Sequence, residues 1–298
     1  MPARYAGLLA GLAAVWGGSY LLIKIGLEDF SPSVIVWARC ALASVLLLGL
    51  MAATNRGAEL RAVRAEVRAR PGTALTHGLL AITAPFLLIT FGELEVPSGL
   101  TAVLLAPASL WVAAFAPFVD HSEKADPRTA GGMVAALAGV ALLVGVESVH
   151  TLGAFLGALA ILGASALYGA SSLFVKNRYA GFSPIVTTAI SVTVTAVVTL
   201  PAALATWPDR APGLGPVAAV AALGVVGTAL AFVAFYVLIA QLGAARASLI
   251  AYLAPAAALL YGATLLGEEI TLAAVGGLVL ILSGVALAAA RPAPDHAP

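Results

Sequence analysis

The sequence predicts an all-α integral membrane protein of ten transmembrane helices, arranged as two inverted-topology five-helix repeats. Three observations predict it: a composition that water cannot solvate, uncharged runs long enough to cross a bilayer, and a segment that recurs half a chain later. Charged residues make up 10% of the 298 and apolar ones 61%, where soluble domains carry about 25% and roughly 45–50%. A soluble fold of this length could not hide that much apolar surface. Runs of about twenty uncharged residues recur, enough to cross a hydrocarbon layer of roughly 30 Å.

Apolar runs punctuated by Pro, Gly and charge place spans near 6–26, 32–53, 73–92, 97–119 and 129–147. The second set lies near 153–175, 184–206, 216–240, 246–266 and 271–290. The first span follows Arg4 and is longer than a signal-peptide core, so it reads as a retained helix. No soluble domain fits between spans. The expected organisation is one repeat over 6–147, a second over 153–290, and a short cytoplasmic tail, 291–298.

Short cytoplasmic loops carry the excess of Lys and Arg. With the N-terminus inside, twelve of the fifteen fall on the cytoplasmic side: Arg4, Arg56, Arg61, Arg64, Arg68, Arg70, Lys124, Arg128, Lys176, Arg178, Arg246 and Arg291. Only Lys24 and Arg210 lie outside, and Arg39 falls within span two. The expected location is therefore a bacterial inner membrane, crossed many times, with both termini in the cytoplasm. Arg56 to Arg70, with Glu59 and Glu66 among the arginines, reads as a short surface helix that sets topology, or one that binds anionic headgroups.

The net charge of +1 gives no basic surface for nucleic acid. The single cysteine, Cys40, excludes an intrachain disulfide or a cysteine metal site. No metal and no cofactor are expected. The partners expected are a small-molecule substrate and membrane lipid, with the chain acting as a monomer.

A shift of 152 residues lays Trp16-Gly17-Gly18-Ser19-Tyr20-Leu21-Leu22-Ile23-Lys24 over Tyr168-Gly169-Ala170-Ser171-Ser172-Leu173-Phe174-Val175-Lys176, and Phe30-Ser31-Pro32 over Phe182-Ser183-Pro184. From 16 to 32 this gives seven ungapped identities. Leu105-Ala106-Pro107 matches Leu253-Ala254-Pro255 at a shift of 148, and Gly139-Val140-Ala141-Leu142 matches Gly284-Val285-Ala286-Leu287 at 145. Register drifts only in loops. Because five is odd, the second copy enters the membrane from the opposite side, the signature of secondary transporters whose substrate site lies near the midplane between the halves.

The repeated Trp/Tyr-Gly-x-Ser, the Ala-Pro of spans four and nine, and Leu265-Leu266-Gly267-Glu268-Glu269 followed by Gly276-Gly277 and Gly284 resemble the EamA type of the drug/metabolite transporter superfamily. The likeness runs over nearly the whole chain. The first copy departs from it where Phe118-Val119-Asp120-His121-Ser122-Glu123 replaces the usual Leu-Gly-Glu. The resemblance implies a ten-helix exporter of amino acids, aromatic ones included, or of other small metabolites. It also implies that spans one, three, four, six, eight and nine surround a central cavity while five and ten lie at the periphery.

Trp16 and Tyr168 stand at equivalent mid-span positions, away from the interfacial belts where membrane aromatics collect. They flank a substrate or pack helices. Ser19, Tyr20 and Ser171 stand beside them as substrate-binding candidates. Gly17, Gly18 and Gly169 allow close helix approach, or loosen the helix for bending. Trp111, Tyr236, Tyr252 and Tyr261 belong to spans that the resemblance places around the cavity. Pro107 and Pro255 each remove a helical hydrogen bond and read as hinge or packing residues.

Ionisable groups in a membrane are functional candidates by default. Arg39 could neutralise a substrate carboxylate, pair with Glu28 or Asp29, or snorkel. His77 enters span three from the cytoplasmic side and could take part in proton coupling. Glu93 closes that span at the outer face, with Gln241 as its repeat equivalent. Lys24 and Lys176 occupy equivalent span ends and snorkel. A buried carboxylate of the kind that proton relays use is missing from this reading, so uniport or weak coupling stands beside antiport.

An enzyme would need a metal motif or clustered carboxylates. His121, Glu123 and Asp126 share a loop, but no His-x-x-x-His or Cys-x-x-Cys occurs. A channel would show a filter sequence or charged rings. The expected function is a non-enzymatic secondary transporter exporting small metabolites, amino acids first, with broad specificity for aromatic and other neutral ones, by alternating access around an apolar and aromatic cavity. Other metabolites or drugs are the alternative cargo.

Overall fold

A computed structural model describes residues 3–54, 56–119, 127–143, 151–242 and 250–289. All regular structure among them is helical. Span one is α1 (Ala3–Gly26) and span two α2 (Pro32–Ala53), followed by the short α3 (Gly57–Ala69). Span three joins α4 (Pro71–Gly78) to α5 (Ala84–Gly92) through a π-helical segment, Leu79–Thr83. Span four is α6 (Ser98–Leu105) and α7 (Ala108–Val119), and span five is α8 (Pro127–Leu143). The second repeat follows as α9 (Leu152–Arg178), α10 (Pro184–Ala205), α11 (Leu214–Gly224) joined to α12 (Ala231–Leu242) through a second π segment, Val225–Leu230, then α13 (Ile250–Leu265) and α14 (Leu272–Ala289).

Seven of these spans are long and apolar enough to cross a bilayer, and Ala130–Leu142, Leu253–Leu265 and Leu272–Leu287 add three shorter apolar helices. The chain is an all-α membrane protein. Local chemistry sets the starts. Ser31 accepts from Val34 N, with Pro32 in the first turn, and Thr151 caps α9 by accepting from Ala154 N. The surface helix expected between Arg56 and Arg70 is α3. It buries Val63 and Glu66, exposes Arg61, Arg64 and Arg68, and is closed by an Arg70–Glu66 ion pair of 3.0 Å.

The helix packing repeats with the two halves exchanged. α1 packs on α13 while α9 packs on α6 and α7; α5 packs on α9 while its counterpart α12, together with α11, packs on α1. The self-paired helices lie across the pseudo-axis: α2 against α10, and α8 against α14. In the latter pair Gly139 sits on the Gly277 carbonyl, and its counterpart Gly284 on the Gly132 carbonyl, so neither position has room for a side chain. Small residues let lipid-embedded helices approach closely enough for van der Waals attraction to hold them, since lipid supplies no hydrophobic drive between helices.

Two features depart from regular spans. The π segments recur at matching places, each containing a threonine whose hydroxyl donates to the carbonyl five residues back: Thr83 to Gly78 O at 3.1 Å and Thr228 to Leu223 O at 2.8 Å. That hydroxyl satisfies a carbonyl which the wider turn releases. The prolines differ: Pro107 separates α6 from α7, whereas Pro255 lies within a continuous α13. At Pro107 the chain tightens, with Ala106 N donating to Val103 O and both Leu110 N and Trp111 N to Pro107 O.

Candidate functional site

Arg39 stands seven residues into α2, is 5% exposed, and lies where spans two, three and eight meet. Its Nε and Nη2 donate to Thr228 Oγ1 at 3.3 and 3.2 Å, and its guanidinium lies 4.0 Å from the Phe86 ring centroid. The π segment of span eight is what aims Thr228 at it. Among the described residues no carboxylate forms an ion pair with Arg39. Asp29, one partner suggested by the sequence, instead accepts from Gly213 N at 2.7 Å, and Glu28 is exposed.

Tyr20, Tyr168 and Glu93 lie within electrostatic reach of Arg39. Tyr168 packs against two of the apolar clusters at once, and Tyr20 against one of them. Two phenols and a guanidinium, contributed by both repeats, therefore share the middle of the protein. An isolated cation costs several kcal/mol in hydrocarbon and is tolerated where it faces the bundle interior and finds partners, so its position makes it a candidate for binding.

Trp16 packs edge-on to Phe232, with centroids 5.9 Å apart, and tilted on Phe235 at 5.2 Å. Its counterpart Tyr168 has no such aromatic cage among the described contacts, so the two aromatics are equivalent in sequence and different in surroundings. Ser19 is buried, donates to Val15 O at 3.0 Å, and faces Gly227 of the span-eight π segment. Ser171 is likewise buried. Trp111 stacks on Phe115 at 5.6 Å, and its buried Nε1 has no acceptor among the described residues.

The glycines are held by close approach. A Cβ at Gly17 would sit 2.7 Å from Ala254 O and 2.7 Å from Ala257 Cβ, while one at Gly169 would sit 2.5 Å from Trp111 Cβ. Gly18 faces the Tyr261 ring at an ordinary distance. His77 belongs to a separate packing: its Nε2 lies 3.1 Å from Thr187 O, and its ring lies 4.9 Å from that of Tyr179 and 6.4 Å from that of Phe174. The side chains of Tyr236 and Tyr252, and the whole of 120–126, lie outside the described residues.

Sequence reasoning missed three things. The first is Thr228 as the seat of Arg39; the pair Thr83-Ala84 and Thr228-Ala229, related by the same shift of 145 as the span-five and span-ten glycines, was the available signal. The second is Glu268, which joins the repeats by accepting from Ser98 N at 2.8 Å, Gly99 N at 3.0 Å and Ser98 Oγ at 3.0 Å, on the N-terminus of α6. The third corrects the expectation that a buried carboxylate is missing. Glu93 is 0% exposed and neither carboxylate oxygen has a hydrogen-bond partner among the described residues. It stands at the end of a span, yet the adjoining Gly92 lies against Gly157 and Ile161 of α9, which shuts the water out.

Ten apolar helices in two matching repeats, meeting on a buried arginine and two tyrosines, define a polytopic membrane protein with a polar centre between its halves. The chain belongs to the EamA-like transporter family, which matches residues 4–145 and 155–290. It is 29% identical over 273 residues to the uncharacterized inner membrane transporter YedA of Escherichia coli (strain K12), covering 89% of this chain and 84% of that one. It is 28% identical over 278 residues to a probable terminal-alkyne amino-acid exporter of Streptantibioticus cattleyicolor, covering 91% and 89%. A crystal structure matches at a TM-score of 0.68 and 19% identity, covering 96% of this chain and 97% of that one, a likeness of fold.

Proposed function

We propose that this transporter exports amino acids and related carboxylate-bearing metabolites from the cytoplasm by alternating access of its two halves. The observation that carries the reading is Arg39: a buried guanidinium with no carboxylate paired to it among the described residues, within electrostatic reach of a tyrosine from each repeat. Its planar fork suits a substrate carboxylate, while the phenols and the Phe86 ring suit an apolar or aromatic side chain. Such a site admits many neutral amino acids. The Streptantibioticus relative, named for amino-acid export, supports the same substrate class.

The Lys/Arg distribution supports an inner-membrane orientation with both termini cytoplasmic. The symmetric packing supports rocking of one half against the other. The test is efflux and counterflow of labelled threonine, methionine and phenylalanine in proteoliposomes. Saturable counterflow whose half-saturation concentration Arg39→Ala raises roughly tenfold or more is expected. Conductance far above carrier turnover would make the protein a channel, and indifference of all three fluxes to Arg39→Ala would remove the proposed site.

A further inference from the structure

Glu93 is used by nothing described so far. It is wholly buried at the outer end of span three, and both its carboxylate oxygens lack a partner among the described residues. An ionised carboxylate shut away from water in that condition costs several kcal/mol, and such groups escape the cost by taking up a proton. The nearest cation does not relieve it. Lys24 Nζ donates to the backbone carbonyl of Glu93 and forms no ion pair with its carboxylate.

The titratable and charged groups acting on Glu93 from the elements around it are Lys24 and Tyr20 of α1, Arg39 of α2, and Glu268 from the loop ahead of α14. From α9, Gly157 and Ile161 close on the adjoining Gly92. Glu268 is committed to Ser98 and Gly99, so its charge already has donors. Among the described residues the surroundings thus hold one cation a short side-chain swing away and no fixed donor for the Glu93 oxygens.

The pseudo-symmetry adds an independent observation. Lys24 has Lys176 as its counterpart, but Glu93 has Gln241, a neutral amide that is exposed and accepts from Tyr5 OH at 2.9 Å. Architecture shared by the repeats would place the same group at both ends. A carboxylate at the outer end alone is what a proton arriving from outside would need.

We propose that Glu93 is the proton-carrying group that couples export to proton entry. With the outer face open, the hydrated carboxylate binds one proton from the medium. Closing the outer face buries the neutral acid. On the cytoplasmic side the O–H bond breaks, the proton leaves to the cavity water, and Lys24 turns from the carbonyl to the carboxylate it then neutralises. The substrate-loaded, deprotonated carrier reopens outwards, so one proton enters as one substrate leaves.

This inference rests on the transport reading above, and the experiment separates the two. Proteoliposomes given an acid-inside pH gradient are tested for accumulation of labelled threonine, methionine and phenylalanine, beside amino-acid counterflow without a gradient, in the wild type and in Glu93→Gln. In parallel, infrared difference spectra between the substrate-free proteins at neutral pH are examined for a protonated carboxyl stretch. The expected result is gradient-driven accumulation in the wild type, its loss with persistent counterflow in Glu93→Gln, and a carboxylic-acid band in the wild type that the variant lacks. Accumulation by Glu93→Gln equal to wild type would overturn the inference, as would wild-type counterflow with no gradient-driven accumulation, which leaves amino-acid export intact. If no panel amino acid moves, the export reading fails and the infrared band decides alone: an acid band at Glu93 keeps the proton site, and ionised-carboxylate bands remove it.

Discussion

Arg39 of the first repeat donates from two nitrogens to the hydroxyl of Thr228, itself bonded to Leu223 O in the π segment of the second repeat. A wide turn in span eight is thereby tied to the cation of span two. The hydroxyl has two jobs, so replacing it with a methyl removes both at once.

Thr228→Val should therefore destabilise the detergent-solubilised protein by about 1–3 kcal/mol, the cost of unpaired buried polar groups. A lowered thermal midpoint checks it. Thr83→Val should cost less, although Thr83 Oγ1 also pairs with Thr195 Oγ1 at 2.8 Å, because both partners there are neutral hydroxyls.

Arg39 itself is predicted to bind the substrate carboxylate. A hydrogen bond to a charged group contributes about 1.5–3 kcal/mol, so Arg39→Ala should raise the half-saturation concentration for amino-acid flux roughly tenfold or more. Arg39→Lys keeps the charge and loses the fork, and should fall between. Amino-acid amides, which lack the carboxylate, should be insensitive to either change; equal losses for amides would show that the arginine serves folding instead.

The two midspan aromatics should separate. Trp16 is caged by Phe232 and Phe235, so Trp16→Ala empties an aromatic cluster and should cost about 3–5 kcal/mol of stability if fully buried, less here because the ring is only part-buried. Tyr168 shares the electrostatic surroundings of Arg39, so Tyr168→Phe should leave the melting midpoint nearly unchanged while altering selectivity among amino acids. Flux ratios for phenylalanine against threonine are the measurement. If neither Trp16→Ala nor Tyr168→Ala changed any flux, the central site would be misplaced.

The helical class and the duplication were legible because run length and a fixed shift survive in sequence: the described span limits fall within a few residues of the expected ones, while the expected end of span five at 147 and start of span nine at 246 lie outside the described residues. Arg39 was legible as a deep cation for the same reason. Its seat on Thr228 was not, since a threonine in an apolar run is compatible with an ordinary helix, and only backbone geometry reveals the wide turn. Glu93 was misjudged because distance along a span measures depth only when neighbouring helices leave the end open. The glycines that close it, Gly92 and Gly157, come from helices far apart in the chain.

Glu268 joins the halves, at the face proposed to be the outer one, through three donors on the start of α6. Glu268→Gln keeps the shape and loses the charge, so the outer face should open more readily. A cysteine introduced at Leu100, which lies with Glu268 along the same cleft, should then label faster with a membrane-impermeant maleimide. Unchanged labelling would mean that the contact only caps a helix. Gly262→Ala should act in the same direction, because its added methyl would run into the Glu268 carboxylate.

Close helix approach at the repeated motif gives the last prediction. A methyl at Gly169 would press on the backbone of Trp111, which cannot yield as a flexible side-chain end can, and one at Gly17 would meet the Ala254 carbonyl. Gly169→Ala and Gly17→Ala should each destabilise by about 1–3 kcal/mol, the usual range for overpacking. Gly11, on the same helix as Gly17, has nothing within 4 Å of an added Cβ and supplies the control. Gly11→Ala should be neutral or stabilise by up to about 1 kcal/mol, through helix propensity alone. Thermal midpoints of the three variants in one detergent decide it: if Gly17→Ala behaved like Gly11→Ala, the glycine of the motif would serve bending and not approach.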